Sequence, residues 1–198
     1  DALNATKLVG SDKTVEEMRQ ELVLAIGENM KVRRFERVEG QIATYIHGGG
    51  TVGVLVQFDT DDATAATDAF KAMGKDVAMQ IAAMNPLYLD EASVPAEVIA
   101  HEKEILAVQI KEDPKMASKP EKVIEGIISG KIKKYYKENC LVDQEFVKNG
   151  DFTVGSYIAS VAKEIGASIT PVKFIRYAKG EGLQKREDNF ADEVASMM

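Results

Sequence analysis

Residues 41–58 read QIATYIHGGGTVGVLVQF, and this stretch decides the fold. Ile42, Thr44 and Ile46 alternate with polar or aromatic neighbours, and Val52, Val54, Val56 and Phe58 alternate again beyond three glycines. Alternation with a period of two marks a half-buried strand, and Gly48, Gly49 and Gly50 supply the positive backbone dihedrals that a tight reversal demands. The segment from Lys31 to Phe58 is therefore expected to form two or three antiparallel strands, with Gly40 at the first bend.

On the N-terminal side the period changes. Val15, Met18, Leu22 and Ile26 are spaced by three and four residues, which sets them on one stripe of a helix that Gly27 can end. On the C-terminal side, Asp61 and Asp62 are placed to cap a long helix with an inner stripe of Phe70, Met73, Val77, Ile81 and Met84, closed by Asn85 and Pro86. Two further helices are expected, one from Pro95 and one from Pro120 to Tyr136 carrying Ile124, Ile128, Ile132 and Tyr135. Their connection at Pro114 is short, so they should pair as an antiparallel hairpin, with Val98, Ile105 and Val108 facing the second stripe and the pair projecting from the body. Val154, Ile158, Val161 and Ile165 mark another helix stopped by Gly166, Ile169–Ala178 reads as a strand, and Phe190, Val194 and Met197 mark a last helix. Strands and helices do not alternate as a parallel sheet requires, so the class is α+β, with a small antiparallel sheet packed with helices.

The bulk properties bound what such a fold can do. The 198 residues are 45% apolar, enough for a sizeable core, and 32 acidic against 25 basic side chains give a net charge of -7. That balance repels a nucleic-acid backbone unless basic residues gather on one face. Cys140 is the sole cysteine, which excludes an internal disulfide framework and a cysteine-rich zinc site and fits a reducing cytosol. No apolar run approaches the ~20 residues of a membrane span, and no charged-then-apolar leader opens the chain, so the expected location is cytoplasmic. The opening at Asp1, without a strand or other domain start, suggests a piece of a longer protein.

Candidate chemistry is sparse. His47-Gly48-Gly49-Gly50 matches in four letters the glycine-rich oxyanion loop of lipase-type hydrolases, but the chain has no G-x-S-x-G elbow, and a glycine-rich hairpin connection is the preferred reading. Gly126–Lys131 reads GIISGK, one residue short of a phosphate loop, with Ile132 where Ser or Thr would bind magnesium, and it sits within a helical stripe. His47 and His101 lie far apart, neither with a second metal ligand at a suitable interval. His101 reads as a solvated helix position, whereas His47 ends a strand beside a glycine turn, where a ring can stand clear and meet a partner. Asp59, Asp61 and Asp62 lack the glycine and distal glutamate of a calcium loop and fit helix capping better. Lys131, Lys133, Lys134 and Lys137 with Tyr135 and Tyr136 form a stripe that could touch RNA, but the wet side of a helix is the preferred reading. Neither an enzyme site, a metal nor a cofactor is expected.

The order of segments is more informative. IGENMKVRRFERVEG (26–40), TYIHGGGTVGVLVQF (44–58), VAMQIAAMNPLYL (77–89), VIEGIISGKIKKYYKENCLVDQEFV (123–147), TVGSYIA (153–159) and FIRYAKGEGLQKREDNFADEVA (174–195) follow in a sequence and spacing that resemble the C-terminal part of elongation factor Ts. The resemblance implies a nucleotide-exchange factor that binds the GTPase elongation factor Tu and promotes GDP release, with no direct nucleic-acid or membrane contact and with homodimer formation left open. It implies partner contacts at Ile26, Gly27, His47, Gly48 and Gly49, and at Phe190 and Val194 in a C-terminal module. It also implies an α+β core over 1–92 and 137–183, a helical hairpin insertion over 93–136 and the module at 184–198, with the sheet docking on the third domain of the GTPase. One departure matters: the family carries an N-terminal helical module and a Thr-Asp-Phe motif that enters the GTPase near its magnesium and phosphate sites, and no Thr-Asp-Phe occurs in these residues. The expectation is a chain that docks but lacks the exchange wedge.

Overall fold

The computed structural model describes residues 2–183. These divide into two compact units, one ending at Val38 and the other beginning at Glu39.

The first unit holds a short helix α1 (Ala2–Ala5) and helix α2 (Val15–Ile26). Thr14 starts α2 with a capping box: its hydroxyl accepts from the Glu17 amide at 3.2 Å, and the Glu17 carboxylate accepts from the Thr14 amide at 2.7 Å. Gly27 ends the helix at φ 80°, donating its N–H to the Val23 carbonyl at 2.9 Å, as the spacing predicts. No α2 residue is fully buried. Val15, Met18 and Leu22 instead line a shallow apolar groove with Leu8, Met30 and Val32, and the Arg19 guanidinium donates to the Met30 carbonyl at 2.8 Å, holding the following segment along the helix.

In the second unit, β1 (Gln41–His47) and β2 (Val52–Asp59) form the expected hairpin, and residues 31–39 add no third strand there. That segment is rich in arginine and glutamate and lacks the alternation a strand needs. A short helix α3 (Asp62–Ala66) precedes α4 (Asp68–Met84), which corrects the expectation of one long helix. Asp61 caps α3 alone. Thr67 breaks the run in extended geometry at ψ 149°, its hydroxyl donating to the Thr64 carbonyl and accepting from the Phe70 amide, so a threonine side chain replaces the helical bonds. Asn85 stops α4 in the left-handed region at φ 47°, and Met84 is half exposed, outside the buried stripe.

Helices α5 (Ala96–Glu112) and α7 (Glu121–Asn139) follow, joined through a single turn of helix, α6 (Pro114–Ala117). Ile110 and Ile132 are their buried residues, and Ile99 and Leu106 are partly covered. Of the three residues expected to face α7, Val98 is partly covered, but Ile105 and Val108 are exposed, because the covered stripe of α5 continues through Leu106 and Ile110. The root of the pair is clamped by backbone bonds: the Leu87 and Tyr88 amides donate to the Asn139 carbonyl, and the Leu141 amide to the Tyr88 carbonyl. Helix α8 (Val154–Glu164) and strand β3 (Thr170–Ala178) complete the described fold, and the expected helix at Phe190, Val194 and Met197 lies outside the described residues.

The sheet is antiparallel in the order β1-β2-β3, with a register shift at Gln57/Phe58. Val54, Val56 and Phe58 point to one face and meet Phe70, Met73, Val77 and Ile81 of α4, while Leu141, Phe146, Val154 and Ile158 extend the same core. Phe58 and Phe70 cross edge to face at 5.4 Å, and Phe146 stacks on Tyr157 at 4.2 Å. Gly74 lets α4 approach β1, since a Cβ there would lie 2.7 Å from the Ala43 Cβ. A larger residue must push helix and sheet apart. Gly74→Val should lower stability by about 1–3 kcal/mol in urea unfolding, and adding Ala43→Gly should recover part of the loss, because the clash is between those two side chains.

Candidate partner-binding surface

The turn between β1 and β2 is built for one conformation. Gly48, Gly49 and Gly50 take φ of 55°, 64° and 99° in succession, a path that L side chains rarely follow, and a Cβ on Gly48 would strike the Thr51 hydroxyl. The His47 carbonyl gathers three donors: the Gly50 amide at 3.1 Å, the Thr51 amide at 3.0 Å and the Thr51 hydroxyl at 3.1 Å. The backbone of His47 is thereby fixed, while its ring stays exposed. Tyr45, two residues earlier on the same strand face, places its hydroxyl 3.1 Å from His47 Nδ1, with ring centroids 5.9 Å apart. The strand parity that links these two residues was available in the sequence, although Tyr45 reads there as an ordinary strand aromatic.

The other predicted positions are distributed as follows. Ile26 lies in the last turn of α2 with 56% of its surface exposed, followed by the Gly27 cap. Phe190 and Val194 lie outside the described residues. His101 is exposed on α5, Asp61 accepts from the Thr64 amide at 2.7 Å as a helix cap, and GIISGK lies wholly inside α7, where its amides belong to the helix. The Gly50 and Thr51 amides are engaged by the His47 carbonyl rather than aimed at a site where negative charge could develop. On α7 Lys131, Lys133, Lys134 and Lys137 are exposed, and Lys134 pairs with Glu138 at 3.5 Å. Tyr135 and Tyr136 are partly buried and meet edge to face, so they are not laid open for stacking on bases. Burial, reinforced by Tyr88, pushes the Tyr135 hydroxyl up to about 12.

Cys140 is buried at the hairpin root, and burial together with Asp143, Glu91 and Asp90 pushes its thiol up to about 11, which leaves little thiolate at neutral pH. Burial likewise raises the Asp143 carboxyl, aided by Glu91 and Asp90, and its Oδ2 is buried without a hydrogen-bond partner. Among the described residues, no group of three or more His, Cys, Asp or Glu side chains is placed to hold a metal ion, and no helix is long and apolar enough to cross a membrane.

These features define an α+β protein with an exposed glycine turn whose backbone is tied to the His47 carbonyl. A family model described as "Elongation factor TS" matches residues 1–181. The elongation factor Ts of Clostridium perfringens is 46% identical over 198 aligned positions, covering 98% of this chain, and that of Clostridium kluyveri is 45% identical over 196, covering 97%. The chain belongs to the elongation factor Ts family. It spans 63% and 62% of the length of these two relatives.

The Asp143 environment sets a pH dependence. Because the folded-state pKa is raised, the protonated form favours folding: that contribution is complete below the unfolded value near about 4 and is lost as pH rises through the folded value. Asp143→Asn should therefore stabilise the protein near pH ~7, and the gain over wild type should shrink as pH falls into the carboxylate range. Urea midpoints of both proteins across that range provide the measurement.

Proposed function

We propose that this chain acts in translation elongation as a docking unit for elongation factor Tu, favouring the nucleotide-free GTPase and thereby promoting GDP release. The family match along nearly the whole chain carries this reading. The physics is reciprocal coupling: a partner that prefers the empty GTPase weakens GDP by the same factor by which GDP weakens the partner, with no covalent step. His47, Gly48 and Gly49 supply a rigid tip for that contact, Ile26 and Gly27 an exposed apolar helix end, and Phe190 and Val194 a further contact from a C-terminal module over 184–198. The α+β core comprises 1–92 and 137–183, with 93–136 as a hairpin insertion, and the setting is cytoplasmic.

The Thr-Asp-Phe motif is absent from these 198 residues. Docking and exchange should accordingly separate. In size-exclusion runs the chain should co-elute with nucleotide-free elongation factor Tu, while stopped-flow release of fluorescent GDP should be accelerated at least about tenfold less than by a relative carrying the motif. Ile26→Asp should weaken binding by about tenfold or more, because a charge replaces an apolar anchor. Failure of the folded chain to bind at micromolar concentration would overturn the assignment, and acceleration equal to that relative's would overturn the predicted loss of exchange.

A further inference from the structure

We propose that Tyr45 is a positioning residue for His47: its hydroxyl donates to Nδ1, holds the imidazole with its proton on Nε2, and so presents an N–H donor to an oxygen acceptor on the partner. This rests on the reading of His47 as a contact residue.

Three observations converge on it. First, the hydroxyl lies 3.1 Å from Nδ1, a hydrogen-bond distance, and the rings tilt at 38° with centroids 5.9 Å apart. Second, both ends of the pair are anchored. Tyr45 is half-buried against the core and sits opposite Val54, which is 4% exposed, while three donors lock the His47 carbonyl. Third, the ring of His47 is exposed, and among the described residues Nδ1 is the ring nitrogen with a partner.

The direction of the bond follows from acid–base chemistry. A neutral imidazole offers one donor and one acceptor nitrogen, and a phenol can play either role. The phenol is the more acidic donor, and the bare ring nitrogen is the better acceptor, so Tyr45 donates and the proton resides on Nε2. The bond a ring nitrogen makes on one side sets what the other side offers. Nε2–H suits a backbone carbonyl or a carboxylate and rejects a donor. Tyr45 thus sets the sign of the contact without touching the partner.

Long-range 1H–15N spectra of the free, labelled chain at alkaline pH, where imidazole is neutral, read the tautomer directly, with His101 as internal reference. His47 should carry its proton on Nε2 in the wild type and become a tautomer mixture in Tyr45→Phe, a loss of one hydroxyl that a purely structural role would not transmit to the ring. A proton on Nδ1 in the wild type, or no change in Tyr45→Phe, overturns the proposal. Titrations against nucleotide-free elongation factor Tu test the consequence. Tyr45→Phe should weaken binding by about three- to tenfold, and His47→Gln, whose amide reaches the Nε2 position, should bind about tenfold more tightly than His47→Asn, whose amide does not. A loss that shrinks in added salt identifies a carboxylate and an unchanged loss a carbonyl, and both uphold the assignment. If His47→Ala binds as the wild type does, the contact reading itself fails; if His47→Ala loses binding while Tyr45→Phe does not, only the positioning role fails.

Discussion

The second unit depends on how closely α4 lies on the inner face of the sheet. Met73, Val77 and Ile81 are fully buried there, and Gly74 brings the helix backbone to within one methyl group of Ala43 on β1. Burying three such side chains contributes several kcal/mol through apolar area alone, about 1.5–3 each. The close approach converts that burial into orientation: β1 is an edge strand, bonded to a neighbour on one side, and α4 supplies the second set of contacts that fixes it. The His47 turn follows at the end of β1, so the packing of an interior glycine against Ala43 is linked to that exposed turn through the five residues from Ala43 to His47.

A second constraint is polar. Gln80 is completely buried on α4, yet each of its functional atoms is occupied: the amide donates to the Gln144 side chain at 3.2 Å and the Glu145 carbonyl at 3.0 Å, and its carbonyl accepts from the Val147 amide at 2.9 Å. Gln144, also buried, donates to the Glu138 carbonyl at 2.9 Å. The pair therefore welds α4 to the chain leaving α7, at the level where backbone bonds clamp residues 87–89 to 139–142. Unsatisfied, these amides would cost about 1–3 kcal/mol apiece; satisfied, they select one register over apolar alternatives that would slide. Apolar stripes of isoleucine and leucine along α5 and α7 do not specify such a register by themselves.

That distinction explains which parts of the fold were legible in the sequence. Strong periods with a defined stop were readable: Val15 to Ile26 with Gly27, the two strands about the glycines, and Ile169 to Ala178 all appear within a residue of where spacing sets them. Features decided by a side chain competing with the backbone were not. Asp61 and Asp62 read as the cap of a long helix because nothing in the pattern shows that Thr67 will turn its hydroxyl onto Thr64 and Phe70. On α5, Val98 is partly covered like Ile99, but Ile105 and Val108 are exposed while Leu106 and Ile110 are covered, a choice that apolar spacing along the helix leaves open. The bond between Gln80 and Gln144 leaves no mark in any local pattern, since the two residues lie 64 positions apart. At the candidate site His47 was singled out from its place at a strand end beside the turn, and Gly48 and Gly49 from the family resemblance, whereas Tyr45 was passed over because a bond between two side chains leaves no pattern in the sequence.

The same logic bears on function. A binding protein gains affinity from surfaces that need no reordering on contact, since each mobile rotamer-rich side chain immobilised at an interface costs about 0.5–1.5 kcal/mol. Under the proposed contact at His47, the three donors on its carbonyl and the Tyr45 hydroxyl beside its ring would lower that cost. Preorganisation of this kind raises affinity for one geometry of the partner and does nothing for another. A factor that acts by preferring one conformational state of a GTPase requires that selectivity, because a ligand shifts an equilibrium only by its differential affinity for the two states. A loop free to sample many shapes would accommodate both states and shift neither; in this turn the glycines supply the positive dihedrals and the bonds to the His47 carbonyl tie the path they take.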